Sequence, residues 1–175
     1  MKLSTMAAKT FSRTHIALYR RTGGKIGGRF RGSPVLLLTT TGRRSGEPRT
    51  TPLLYIDDGT RKVVVASYGG APQHPAWYRN LLAHPEVTVQ TGASIQQMRA
   101  DVADPEERAR LWASLAAMYP TYEDYQARTE RQLPVVVLAP HVPVPVGTSV
   151  DAAVPDGKSG SPGTGSGLKY RQAPS

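Results

Sequence analysis

Residues 35–56 read VLLLTTTGRRSGEPRTTPLLYI. Two apolar runs, 35–38 and 53–56, flank a segment that contains Gly42, Gly46 and Pro48, and threonines extend each run toward the middle. β-Branched and apolar residues bounded by Gly and Pro predict strand, turn, strand, with strands over 35–41 and 48–57. The bend carries Arg43, Arg44, Ser45 and Arg49. Glycine lets backbone amides come close to a ligand, and a guanidinium fork matches two oxygens of a phosphate or carboxylate at once. The hairpin reads as a candidate anion cradle. Taken alone it reads more readily as a solvated basic turn.

Outward from this hairpin the same signals continue. A third strand is expected over 62–68, entered through the turn Asp57-Asp58-Gly59-Thr60. A short helix over 76–83 starts beside Pro75, a residue suited to a first turn. A second hairpin pairs 86–91 with 94–102 and turns at Gly92-Ala93. Asp104 is an expected N-cap, followed by Glu106 and Glu107 in the first turn of a helix running to about residue 119. Pro120 breaks it, a second helix covers 121–131, and a last strand covers 133–138. At the other end, residues 2–21 read as an amphipathic helix. Leu3, Ala7, Phe11, Thr14 and Leu18 share one stripe opposite Lys2, Lys9, Arg13 and Arg20, which suits a surface helix docked on the domain as well as one lying on an anionic membrane. Gly23-Gly24 and Gly27-Gly28 then form a connector to Pro34. Many short antiparallel strands with few helices predict a mainly β fold, a small barrel with flanking helices. Three segments are expected: a basic helix and connector over 1–29, the barrel over 30–140, and a disordered Pro/Gly/Ser-rich tail over 141–175.

The 175 residues suffice for one core-bearing domain. No cysteine is present, which excludes disulfides and thiolate chemistry. The four histidines have no metal-ligand spacing, so no metal is expected. No apolar run approaches the ~20 residues of a membrane span, and the basic N-terminus lacks the apolar block of a signal peptide. The charge is uneven. Residues 1–50 hold 11 Lys+Arg and one acid, net +10, whereas the remainder holds 11 and 12, net −1. An acidic partner is implied: a polyanionic small molecule, an anionic membrane meeting residues 2–21, or nucleic acid. Walker A, G-x-G-x-x-G, G-x-S-x-G and H-E-x-x-H motifs are all missing, and no nucleic-acid-binding signature accompanies the charge.

Three further groups stand out. Ser67-Tyr68-Gly69-Gly70 closes a buried-looking strand, where a flat ligand could lie against backbone. Trp77-Tyr78-Arg79-Asn80 sets aromatic, cation and amide together at a helix start. Tyr119, Tyr122 and Tyr125 recur every three residues across Pro120. Core stripes favour Leu or Val, so three phenols suit a pocket wall or an interface.

In order along the chain, LLLTTTGRRSGEPRTTPLLY, VVVASYGGAPQHPAWYRNLLAHPEVTVQ and YPTYEDYQARTERQLPVVVLAP resemble the deazaflavin-dependent nitroreductase family over about residues 30–140. The resemblance implies a split β-barrel related to flavin-binding proteins, often a homodimer. It also implies coenzyme F420, a deazaflavin with a phosphate and a polyglutamate tail. Arg43, Arg44, Ser45, Arg49, Thr50 and Thr51 would then hold the phosphate and tail. Pro52, Leu53, Leu54, Val65, Ala66, Ser67 and Tyr68 would line the ring, and Ala76, Trp77, Tyr78, Arg79 and Asn80 its other wall. Tyr122 would close over the ring, with Leu54, Tyr119 and Tyr125 around the substrate. Ser67 or a phenol such as that of Tyr122 would polarise the acceptor oxygen or supply a proton. The implied activity is F420H2-dependent reduction of a quinone, nitroaromatic or similar acceptor, in the cytoplasm or at the inner face of the membrane. The alternatives are an FMN oxidoreductase on the same barrel, and an F420 carrier without activity.

Overall fold

The computed structural model describes residues 3–141, with side chains from Arg13 onward. The expected tail lies outside the described residues, apart from His141. Helix α1 spans Leu3–Thr22. Strands β1 (Arg29–Phe30), β2 (Ser33–Thr41), β3 (Pro48–Asp58) and β4 (Arg61–Val65) follow. After helix α2 (Ala76–Ala83) come β5 (Glu86–Thr91) and β6 (Ser94–Val102). Helices α3 (Pro105–Met118) and α4 (Thr121–Ala127) lead to β7 (Val135–Pro140).

All pairings are antiparallel. The order β2-β3-β4-β7-β6-β5 returns to β2 through Leu37↔Gln90, Leu38↔Val89 and Thr39↔Thr88, closing a six-stranded barrel with β1 outside it. Alternation along each strand feeds two cores. Leu36 and Leu38 of β2, Val64 of β4 and Val136 and Leu138 of β7 point inward onto Trp77, Tyr78 and Leu81 of α2, which plugs the interior. Val63, Val65, Val135 and Val137 point outward under Leu111, Leu115 and Tyr122 of α3 and α4. Each fully buried Leu or Val contributes roughly 1.5–3 kcal/mol, so register is strongly fixed: a one-residue slip would exchange the two cores.

Asp104 caps α3 as its side chain accepts from Glu107 N at 2.8 Å. Four expectations change. The strand expected over 62–68 stops at Val65, because Tyr68, Gly69 and Gly70 all take positive φ (50°, 65°, 78°) and leave the sheet. The helix expected over 121–131 ends at Ala127, where Gln126 turns its amide onto Arg131 O and Leu133 N instead. Part of the expected connector is a small hairpin. Arg31 and Gly32 (φ 50° and 86°) turn β1 back onto β2, as a two-residue turn of this hand requires.

The fourth change concerns α1. Its docked face carries Tyr19, 1% exposed, with Ile16 beside it against Val35 and Leu37. Thr14 is exposed and Leu18 is 41% exposed, so the stripe that contains them faces away from the barrel at this end. The reason is polar as well as apolar. Tyr19 OH donates to Val35 O and accepts from Gly92 N, both at 2.9 Å, so its phenol joins α1 to strand β2 and to the turn between β5 and β6. A Cβ on Gly24 would sit 2.9 Å from Gly92 Cα and 3.2 Å from the Tyr19 ring, so only glycine permits this approach.

Candidate active site

Consecutive residues of strand β3 line two cavities of different chemistry, which together make up its groove. At its start, Arg49, Thr50 and Thr51 line a cleft of about 360 Å³ with Arg43, Arg44 and Ser45 of the turn and with Ala76, Trp77 and Asn80 of α2. Two residues on, Pro52, Leu53 and Leu54 line a second cavity of about 320 Å³ with Val65, Ser67, Gly69 and the three tyrosines.

The turn is built tightly. Gly42 N donates to Glu47 O at 2.8 Å and Gly46 N to Gly42 O at 2.7 Å. A Cβ on Gly42 would meet Ser45 Oγ at 2.7 Å, and Gly46 has φ 69°. Asn80 is buried, and its amide bridges the hairpin shoulder: Nδ2 donates to Thr40 Oγ1 at 3.2 Å and Oδ1 accepts from Arg43 N at 3.3 Å. Arg49 pairs with Glu47 at 2.9 Å, both exposed. Surface pairs of this kind are worth at most about 1 kcal/mol. The hydroxyls of Thr39 and Thr50 share a hydrogen bond of 2.8 Å, and Arg20 of α1 donates to Thr50 Oγ1 at 3.0 Å.

At the apolar end the rings of Tyr119 and Tyr122 meet edge to face at 5.2 Å, and each lies 6.4 Å from Tyr125. Pro120 separates α3 from α4, so Tyr119 caps the first helix while Tyr122 and Tyr125 ride on the second. Tyr122 is 4% exposed. Burial, reinforced by Tyr119 and Tyr125, pushes its phenol far above the usual tyrosine range. A hydrogen bond with Tyr119, then burial, raises Tyr125. The phenols of Tyr122 and Tyr125 are therefore hydrogen-bond donors at neutral pH and poor sources of a free proton.

Not every candidate reaches the groove. Ala66 and Tyr78 sit in the barrel core, Tyr78 packed on His74 at 4.8 Å between ring centres. Arg79 is exposed and Tyr68, at 62% exposure, projects from its turn; neither lines either cavity. Conversely, His15 and Phe30 line the apolar end, though the sequence pattern pointed to neither. His15 Nε2 donates to Gly27 O at 2.8 Å, and a Cβ at Gly27 would lie 2.3 Å from that nitrogen. The Gly27-Gly28 pair was a usable signal: glycine here admits the histidine ring. Among the described residues no group of acids and histidines could hold a metal ion.

A closed six-stranded barrel, with an arginine-lined and a tyrosine-lined cavity along one strand, defines a split-barrel protein. The family model for F420H(2)-dependent quinone reductase matches residues 11–140, and the chain belongs to that family. It is 45% identical over 130 residues to the F420H(2)-dependent quinone reductase Rv1261c of Mycobacterium tuberculosis, covering 72% of this chain and 87% of the relative. Among solved structures, the F420-H2 dependent reductase FDR-A is 40% identical with a TM-score of 0.57, over 60% of this chain and 93% of that one. A structure described as a domain-swapped dimer is 34% identical with a TM-score of 0.59, over 72% and 94%.

Proposed function

We propose that this protein is an F420H2-dependent oxidoreductase whose acceptors are quinones, with nitroaromatics and related activated rings as further candidates. One observation carries the site assignment: a single strand, β3, contributes successive residues to both the arginine-lined cavity and the tyrosine-lined cavity. The donor set fits the cofactor, since guanidinium forks and hydroxyls suit phosphate and carboxylates, and apolar walls suit a flat heterocycle. When bound, reduced F420 supplies a hydride.

The chain's own residues do the rest. Arg43, Arg44 and Arg49, with Ser45, Thr50 and Thr51, hold the anionic part. Pro52, Leu53, Val65 and Trp77 offer apolar surface along the ring. Leu54, Tyr119 and Tyr125 confine the acceptor, and Tyr122 excludes water from the point of contact. Ser67 and the phenols donate hydrogen bonds to the acceptor oxygen as negative charge develops on it. Titrating the protein's intrinsic fluorescence with F420 and, separately, FMN tests the ligand; following F420H2 oxidation with a soluble quinone tests the reaction. Preference for FMN, or binding of F420 without turnover of any acceptor, would replace this reading.

Peripheral attachment to an anionic membrane through α1, on the cytoplasmic side, is part of the same proposal. It is supported by the basic charge of α1, which carries Arg13, Arg20 and Arg21, by Leu18 exposed on the face of the helix away from Arg13 and Arg20, and by the expectation of a lipophilic acceptor. Pairing of two copies is supported by the dimer described for one similar structure.

A further inference from the structure

Arg131 lies beyond α4, in the stretch before β7, and lines neither cavity of the groove. Its half-buried guanidinium is spent on backbone. Nε donates to Ala71 O at 2.8 Å, Nη2 to Ser67 O at 2.7 Å and Nη1 to Ala66 O at 3.2 Å. Nη1 also meets His74 Nδ1 at 3.4 Å. Burial first, and then the charges of Arg131 and Arg79, disfavour protonation of His74, which leaves its ring nitrogen able to accept.

The segment so held is unusual. Tyr68, Gly69 and Gly70 are three consecutive residues at positive φ, one of them not glycine. Within the turn only Gly70 N to Ser67 O at 3.0 Å and Ala71 N to Tyr68 O at 3.2 Å tie it together. A non-glycine residue at positive φ persists where surroundings over-determine it. The turn also abuts α4: a Cβ on Gly70 would lie 2.6 Å from Tyr125 O and 3.2 Å from Tyr125 Cα. Arg131 is itself held from α4, since Gln126 Nε2 donates to Arg131 O at 3.0 Å. The Gln126 amide oxygen accepts from Leu133 N at 2.9 Å.

We propose that Arg131 is a positioning residue that locks the Ser67–Ala71 turn against α4, so that Ser67 and Gly69 on one side of the apolar cavity keep a fixed relation to Tyr122 and Tyr125 on the other. Its importance for turnover rests on the groove being the active site; its effect on the turn does not. Guanidinium geometry is what the role needs. Three carbonyls belonging to residues 66, 67 and 71 are reached by donors in one plane, which the single ammonium of lysine cannot reproduce.

The test begins without cofactor. Hydrogen–deuterium exchange on the full chain should show faster exchange over residues 67–71 and 121–127 in Arg131→Ala, with the barrel strands unchanged. Gly70→Ala, which displaces the same turn from α4, should reproduce that pattern. In turnover of F420H2 with a soluble quinone, kcat should fall by about tenfold or more in both variants, as expected when reacting groups are misplaced by about 1 Å. The F420 dissociation constant should move by less than about threefold, because the arginine turn is untouched. Arg131→Lys should resemble Arg131→Ala, and millimolar guanidinium ion should restore part of the lost rate to Arg131→Ala but none to Tyr122→Ala. Wild-type exchange and kcat in Arg131→Ala, or full function of Arg131→Lys, overturns the proposal. If Arg131→Ala does not fold, Gly70→Ala and Arg131→Lys decide it on the same criteria. If Tyr122→Ala also turns over normally, the groove assignment fails; if only Tyr122→Ala is impaired, the positioning role alone fails.

Discussion

The Tyr122 phenol is ringed by Tyr119, Tyr125 and Trp112 and is almost without solvent contact. Those surroundings keep it neutral, so its ring is worth more than its proton. Tyr122→Phe should therefore retain turnover with a quinone within about threefold, whereas Tyr122→Ala should lower kcat/KM by about tenfold or more, roughly 1.4 kcal/mol of transition-state placement. The ring also belongs to the core under α3 and α4, and emptying such a site costs about 3–5 kcal/mol. Thermal unfolding measured beside the kinetics separates the two losses. If Phe is as damaging as Ala, the hydroxyl is the working group. Asp58 shows a different use of charge. Arg110 grips both its oxygens at 3.0 and 3.1 Å, and Arg61 bonds it from the neighbouring strand. Chiefly through the hydrogen bond from Arg110, its carboxyl falls from an ordinary 3.8 to about 2. A depressed carboxylate pKa means the unfolded chain binds the proton more readily, so this stabilisation is complete above pH 3.8 and vanishes as pH falls toward 2. Melting temperature should drop more steeply across that window in the wild type than in Asp58→Asn. Parallel curves would show that the ion cluster contributes nothing.

At the level of elements, the β2–β3 hairpin is the strongest claim on function. A charge-assisted contact contributes about 1.5–3 kcal/mol when well formed. Arg49→Ala should raise the F420 dissociation constant by about tenfold or more, and Arg43→Ala and Arg44→Ala should act in the same direction with unchanged melting temperatures, since the turn is exposed. Unaltered affinity in all three would detach the cofactor from this turn. The hairpin was legible because period-2 alternation and Gly/Pro punctuation are local signals, and the bounds of α2, β5 and β6 emerge from the same cues. Other features were decided from outside the segment concerned. The end of β4 depends on a turn that Arg131 holds from 60 residues away. The docked face of α1 is chosen by Tyr19 reaching Val35 O and Gly92 N, not by the longer apolar stripe. The β1 hairpin turns through an arginine at positive φ, where Asn or Gly is the usual cue. The groove itself draws on the hairpin, the 65–69 turn, α2 and the tyrosine segment; their residue types could be read, but the way they converge along β3 could not.

For the whole molecule, the uneven charge is the property with the broadest reach. No helix among the described residues is long and apolar enough to cross a membrane. The basic helix α1 nevertheless leaves Leu18 exposed on the face away from Arg13 and Arg20. Co-sedimentation with anionic vesicles should occur at low ionic strength and fade near 0.1 M salt, where screening acts over about 10 Å. Leu18→Asp should weaken it at every salt concentration without altering turnover of a soluble acceptor. Absence of binding at low salt, or indifference to Leu18→Asp, would remove the membrane from the proposal.

One feature of the topology governs how the chain can be made. Strand β7 is the last of the described strands in sequence yet sits between β4 and β6. Until it emerges, a growing chain carries two open sheet edges and a valine-rich face with nothing across it, the condition in which neighbouring nascent chains on one message are prone to pair with each other. A premature stop anywhere before Val135 would leave that gap permanently open. Such fragments should accumulate as aggregates instead of partial barrels, and a peptide carrying 133–140 supplied in trans would be the natural means of closing them.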